Sequence, residues 1–278
     1  MDALMDIVIG DFGRPGTLRY LEAFSARERE LIASSLPDGD EFLDEHRRVQ
    51  LTVLCQLRIV KRTIFDAYER EGRAIDREMM VGTSFGTPVA EIVPTLAEVL
   101  RRQVGLAAGQ GVRAIRVVIP CNTLGVIAAE LRGELGGEAA SRGVALRVEP
   151  MQPLVGADLR DRGIGSVLVL GTPGSVAAYR RMLAEIRPVI SVLDNPAELT
   201  DAYERCINDA IRGERPRPAA FSLVRAHAER QLATGGEVLE ACTDVSLGIG
   251  SDALQIYANR LAYDAYSDVD KSRFREGG

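Results

Sequence analysis

The chain has 278 residues, of which 46% are hydrophobic and 27% charged, with a formal net charge of -6 and a pI of about 5.2. This is the composition of a globular protein of one large or two small domains. Aromatic residues make up 5%, Trp is absent, and the Arg-Arg pairs at 47–48, 101–102 and 180–181 are dispersed, so neither stacking platforms nor a basic footprint for nucleic acid or anionic membrane is present. No apolar run reaches the roughly 20 residues of a membrane helix. A strand-like run, Ile7-Val8-Ile9, begins too early to leave room for a secretory leader. Four cysteines (55, 121, 206 and 242) without close spacing match neither a disulfide framework nor a zinc site. With only His46 and His227, both in helical contexts, a His-based metal site or triad is not expected. The expectation is a soluble cytoplasmic protein.

In chain order, short β-branched runs alternate with helical patterns, which predicts an α/β fold. Expected strands are 6–10, 79–83, 114–119, 144–149, 166–171, 189–193 and 237–241. Expected helices are 17–24, 26–34, 41–71, 89–109, 123–135, 153–161, 174–186, 197–212, 218–233 and 252–266. The longest, 41–71, rests on Val49, Val53, Leu57, Val60, Ile64 and Tyr68 recurring at three- and four-residue steps. Its broad apolar stripe is read as core, with a homodimer interface as the second use. The glycine-rich Gly10-x-x-Gly13-x-x-Gly16 has the wrong spacing for a dinucleotide fingerprint, and no acidic residue ends a second strand about 20 residues on, so no Rossmann-type nicotinamide site is expected. The tail from Lys271 to Gly278 reads as frayed.

Two cysteines stand out. Val117-Val118-Ile119-Pro120-Cys121-Asn122-Thr123 and Val238-Leu239-Glu240-Ala241-Cys242-Thr243-Asp244 both run from an apolar strand through Cys to Thr. They read as one element used once in each half of the chain. A thiol that ends a buried strand and opens onto a helix N-terminus sits where backbone N–H groups favour its thiolate. Two such thiols on one pocket can take a proton from one side of a carbon and return it on the other. Cys55 and Cys206, within helical patterns, read as packing residues.

These motifs resemble those of the aspartate/glutamate racemase superfamily, whose members need no cofactor. Ile119-Pro120-Cys121-Asn122-Thr123 is similar to the family's Pro-Cys-Asn-Thr, and Ala241-Cys242-Thr243-Asp244 to its Gly-Cys-Thr-Glu. Ile9 to Thr17, with Asp11, resembles its first glycine-rich turn, and Val169 to Ser175, with Thr172, the turn opening its second half. The resemblance implies two pseudo-symmetric three-layer α/β domains with mostly parallel sheets and an active site between them. Residues 1–142 plus 258–278 would form the first domain and 143–257 the second. Cys121 and Cys242 would be the acid/base pair, with Asp11, Ser84, Asn122, Thr123, Thr172 and Thr243 binding the substrate and Asp244 supporting catalysis. Asn122 and Thr123 have a second reading as caps of the helix that follows. The chain departs from the pattern at Ala241, at Asp244 and at Gly125, where aspartate-type relatives place His. The smaller Gly125 leads to the expectation of a wider pocket. The implied substrate is a small-molecule amino acid or carboxylate, with an acidic amino acid leading and aspartate slightly ahead of glutamate. A maleate isomerase, hydantoin racemase or decarboxylase relative, or a non-catalytic amino-acid-binding protein, are the other readings, and the presence of both thiols counts against the last two.

Overall fold

The structure, a computed structural model, describes residues 4–10, 14–34, 49–54, 80–81, 87–122, 124–211, 213–243 and 245–266. The described chain is α/β. Its strands are β1 (Leu4–Ile9), β2 (Val49–Leu54), β3 (Met80–Val81), β4 (Thr87–Pro88), β5 (Ala114–Ile119), β6 (Ala145–Pro150), β7 (Ser166–Leu170), β8 (Ser191–Val192), β9 (Glu237–Glu240) and β10 (Ser251–Asp252). Its helices are α1 (Arg14–Ala33), α2 (Val89–Gly109), α3 (Ala128–Ser141), α4 (Met151–Asp161), α5 (Pro173–Glu185), α6 (Ala197–Ile211), α7 (Pro218–Ala233) and α8 (Ala253–Tyr266).

Among the described residues, two four-stranded sheets carry the fold, in the orders β2-β1-β5-β6 and β10-β9-β7-β8, and every pairing in both is parallel. The short β3–β4 pair is antiparallel and separate. Numbered within its own sheet, and setting the β3–β4 pair aside, each sheet has the order 2-1-3-4. The chain therefore winds the same topology twice, and Cys121 and Cys242 each lie two residues beyond the third strand of a winding.

Alternating strand residues feed different layers, as expected for parallel strands buried on both faces. Met5, Ile7, Ile9, Ile115, Val117 and Ile119 pack on one side with Leu100 of α2 and Leu131 of α3. Val8 and Val118 face the other way, into a cluster with α1, α4 and α8 that also takes Val167, Val169 and Leu239 of the second sheet. Leu168, Leu170 and Val238 face outward to α6 and α7, where Cys206 is fully buried as a packing residue. The two sheets thus share their middle layer. The C-terminal helix α8 returns across it to pack on α1.

Three expectations are corrected. Residues 49–54, placed inside a long helix over 41–71, form β2, paired in parallel with β1 from Leu4↔Val49 to Ile9↔Leu54. The remaining described parts of that stretch are none, so Cys55 and His46 lie outside the described residues. The run 17–34, divided into two helices, is the single helix α1. The strand over 145–150 was assigned to the second domain by a boundary at 142, yet it pairs along its length with β5 and completes the first sheet.

Candidate active site

In an open parallel sheet the ligand crevice lies beyond the strand carboxyl ends, where the winding reverses. In a 2-1-3-4 order that point is between strands 1 and 3. For the first sheet the flanking loops follow β1 and β5, and for the second they follow β7 and β9. The loop after β5 carries Cys121 and Asn122. The loop after β7 carries Gly171 and Thr172, and the loop after β9 carries Ala241, Cys242 and Thr243. Topology alone thus selects the motif residues from both halves.

The carboxyl ends of the two sheets meet through one side chain. Asn122 is 2% exposed, and its Nδ2 donates to the Ala241 carbonyl at 2.7 Å. Its Oδ1 accepts from the Tyr179 hydroxyl of α5 at 2.8 Å. The residue after Cys121 is therefore bonded to the residue before Cys242. The far side of Cys242 is held as well, since Arg19 of α1 donates from Nη1 to the Thr243 carbonyl at 2.7 Å. The same guanidinium is ion-paired with Asp252, whose Oδ1 accepts the Leu254 N–H at 2.9 Å at the start of α8. Burial raises the Asp252 carboxyl above its ordinary pKa, and the Arg19 charge works against that rise.

The two cysteines differ in setting. Cys121 is buried and Cys242 half-buried. The Cys121 carbonyl accepts the Gly125 N–H at 3.1 Å, closing a tight turn into a 3₁₀ segment, Leu124–Ile127, that precedes α3. Helix α3 starts after Ile127 with no side-chain cap, so the capping role considered for Asn122 is not the one it has. Beyond Cys242 the described residues 245–250 are not helical, contrary to the expectation that this thiol opens directly onto a helix. That loop is organised instead by Glu240, a fully buried carboxylate. Its Oε2 accepts from the Leu247 N–H at 2.5 Å and the Ser246 hydroxyl at 3.2 Å, and its Oε1 from the Ile249 N–H at 2.6 Å and the Gly250 N–H at 3.0 Å. Glu240 was legible in the sequence only as a charge inside an otherwise apolar strand, and its role was missed. Gly250 is required there, because a Cβ would lie 2.4 Å from the Val238 carbonyl oxygen.

Thr172 is the N-cap of α5, and its hydroxyl accepts the Ser175 N–H at 3.3 Å. The positive end of that helix is thereby presented at the second switch point. Thr243 is buried beside Cys242. Asp11, Ser84, Thr123 and Asp244 lie outside the described residues. Gly125 does not open a wider pocket as expected. A Cβ there would meet the Gln152 Oε1 at 2.4 Å, and that side chain, which is buried and donates from Nε2 to the Asn122 carbonyl, fills the space. Among the described residues no cluster of three or more His, Cys, Asp or Glu is arranged to hold a metal ion.

Comparison with solved structures gives the same fold. A candidate Asp/Glu racemase from Yersinia pestis aligns over 95% of this chain and 99% of its own, with a TM-score of 0.61 at 16% identity. An aspartate racemase homologue from Pyrococcus horikoshii aligns over 96% and 100%, with a TM-score of 0.56 at 17% identity. At these identities the likeness shows a shared fold. No protein-family model matches the sequence, and no curated protein matches it.

Proposed function

We propose that this protein is an amino-acid racemase or epimerase of the aspartate/glutamate racemase superfamily, in which Cys121 and Cys242 work as a two-base pair without a cofactor. The observation that carries the reading is the position of the thiols. Each follows the third strand of a repeated 2-1-3-4 sheet, and Asn122 joins the loop of one to the loop of the other. The shared fold with racemase-like structures supports the same reading. The first unit is the β2-β1-β5-β6 sheet with α8 returning to it, and the second is the β10-β9-β7-β8 sheet, with the site between them.

In this mechanism one cysteine, as thiolate, takes the α-proton of the amino acid. The electron pair of the broken C–H bond delocalises onto the α-carboxylate. The opposite cysteine, as thiol, gives its proton to the other face, and the roles exchange for the other enantiomer. A carbanion without a cofactor needs fixed donors where charge develops on the carboxylate. The N-terminus of α5, capped by Thr172, and the backbone beside Thr243 are suited to that role, with Asp11, Ser84 and Thr123 as further substrate contacts and Asp244 as support for the second thiol. An acidic amino acid is the leading substrate class, with aspartate slightly ahead of glutamate.

The test is a screen of single-enantiomer amino acids in deuterated water with protein dialysed against a chelator, read by chiral chromatography and mass spectrometry. Racemisation with one α-deuterium incorporated is expected. Cys121→Ser and Cys242→Ser are each expected to lower it by about 100-fold or more, where the range for loss of a general acid or base begins. Near wild-type racemisation by either variant would overturn the two-base assignment.

A further inference from the structure

We propose that Asn122 and Tyr179 are positioning residues which, together with Arg19, form a strut that fixes the Cys242 loop against the Cys121 loop. The inference rests on the two-base reading and adds to it the residues that set the spacing of the thiols. Asn122 belongs to the first half, yet both ends of its side-chain amide are bonded to the second, Nδ2 to the Ala241 carbonyl at 2.7 Å and Oδ1 to the Tyr179 hydroxyl at 2.8 Å. Its own backbone carbonyl is held by Gln152. Tyr179 is fully buried, and burial, reinforced by the Asp252 charge, pushes its phenol far above the ordinary tyrosine range. At neutral pH it is therefore an O–H donor to the Asn122 Oδ1. Arg19 supplies the second anchor on the Thr243 carbonyl. The carbonyls immediately before and after Cys242 are thus both taken by donors from the first half.

A buried amide has no need to cross between halves merely to be satisfied. Crossing here joins the two peptide segments whose separation a two-base reaction depends on. A displacement of about 1 Å in such a geometry costs on the order of 100-fold in rate. In this account Asn122 serves the reaction through its neighbours, in place of the direct substrate contact expected from its motif.

The experiment compares wild type with Tyr179→Phe, Asn122→Ala and the control Tyr20→Phe, which removes another fully buried phenol hydroxyl, one with no hydrogen-bond partner among the described residues. Two readouts are taken, with melting curves to show that each variant is folded. The first is racemisation kinetics in both directions. The second is the rate at which dibromobimane bridges Cys121 to Cys242, scored by peptide mass mapping. For Tyr179→Phe, kcat is expected to fall about 10- to 100-fold in both directions, with KM changing less than about threefold. Bridging is expected to slow by about tenfold, and Tyr20→Phe to behave as wild type. Asn122→Ala should show the same pattern more strongly, and if it fails to fold, Tyr179→Phe decides. A change in only one of the two readouts, or in neither, overturns the strut, as does a wild type whose thiols cannot be bridged. A wild type that bridges but racemises no amino acid overturns the functional reading instead, and the bridging rates then still decide whether the strut sets the spacing.

Discussion

Gln152 and Gly125 share one volume at the base of the first cysteine loop. The Gln152 side chain lies where a Cβ on residue 125 would be, 2.4 Å from its Oε1, and it is held there by its bond to the Asn122 carbonyl. A side chain at 125 would displace the end of Gln152, and with it the bond to the Asn122 carbonyl, where Gln152 and Asn122 are both buried. Gly125→Ala is expected to destabilise the protein by about 1–2 kcal/mol, the cost of a buried hydrogen bond given up without replacement. The effect should be smaller when Gln152→Ala is already present, so that the two changes are not additive. Urea denaturation of the single and double variants measures this, and equal costs in the two backgrounds would show that the residues do not compete. The residue scale is also where sequence reasoning reached its limit. Cys121 and Cys242 were legible because an apolar run ending in Cys and a Thr-containing turn recurs. Tyr179, Arg19, Gln152 and Glu240 were not, because each acts on a segment distant in sequence or on a loop without a motif.

Among the elements, α8 depends on a buried ion pair. Arg116 of β5 donates to both Asp6 oxygens at 2.7 Å, to the Leu261 carbonyl at 2.9 Å and to Asp264 at 3.1 Å, which ties β1, β5 and α8 together. Burial opposes the Arg116 charge, but the hydrogen bonds and charge of Asp6 more than reverse this and raise its pKa. Burial also raises Asp6 above its reference value of 3.8, against the lowering pull of Arg116. Arg116→Met leaves that carboxylate without its partner and should cost about 3–5 kcal/mol. It also moves the Asp6 pKa further up. A carboxyl whose folded-state pKa lies above its unfolded value favours folding at low pH and loses that contribution as pH rises through the folded value. The deficit of the variant relative to wild type is therefore expected to be smaller near about pH 4 than near about pH 8, by urea denaturation at each. A deficit independent of pH would mean that Asp6 is not the group left unpaired. Most elements were legible from β-branched runs and helical periodicity. The exception, β2, has a physical cause: in Val49-Gln50-Leu51-Thr52-Val53-Leu54 the apolar residues fit a four-residue step as well as a strand, and its β-branched residues were outweighed by the longer stripe beyond it.

At the scale of the whole molecule, the 2-1-3-4 winding occurs twice, and the second winding ends in a helix that belongs to the middle layer. The recurrence of a strand–Cys–Thr segment made the doubling legible. The division at 142 was not, because nothing in the sequence of 145–150 says which sheet it joins. In α8, Leu254, Tyr257, Ala258, Leu261 and Ala262 are buried, and Tyr257 accepts the Ile119 N–H at 3.1 Å and donates to the Glu149 carbonyl, joining β5 to β6. Removal of residues 253–278 is expected to abolish the cooperative unfolding transition and the near-ultraviolet circular dichroism of the first half, whereas a truncated chain that melts cooperatively would show α8 to be an accessory. The bonds from Asn122, Tyr179 and Arg19 act mechanically as a latch. Any opening that parts the two cysteine loops must release all three together with the Arg19–Asp252 ion pair, and must also break into the apolar layer that the two sheets share. In the proposed two-base reaction, the frequency of unlatching would then set a ceiling on how fast substrate is exchanged, however fast the proton transfers are.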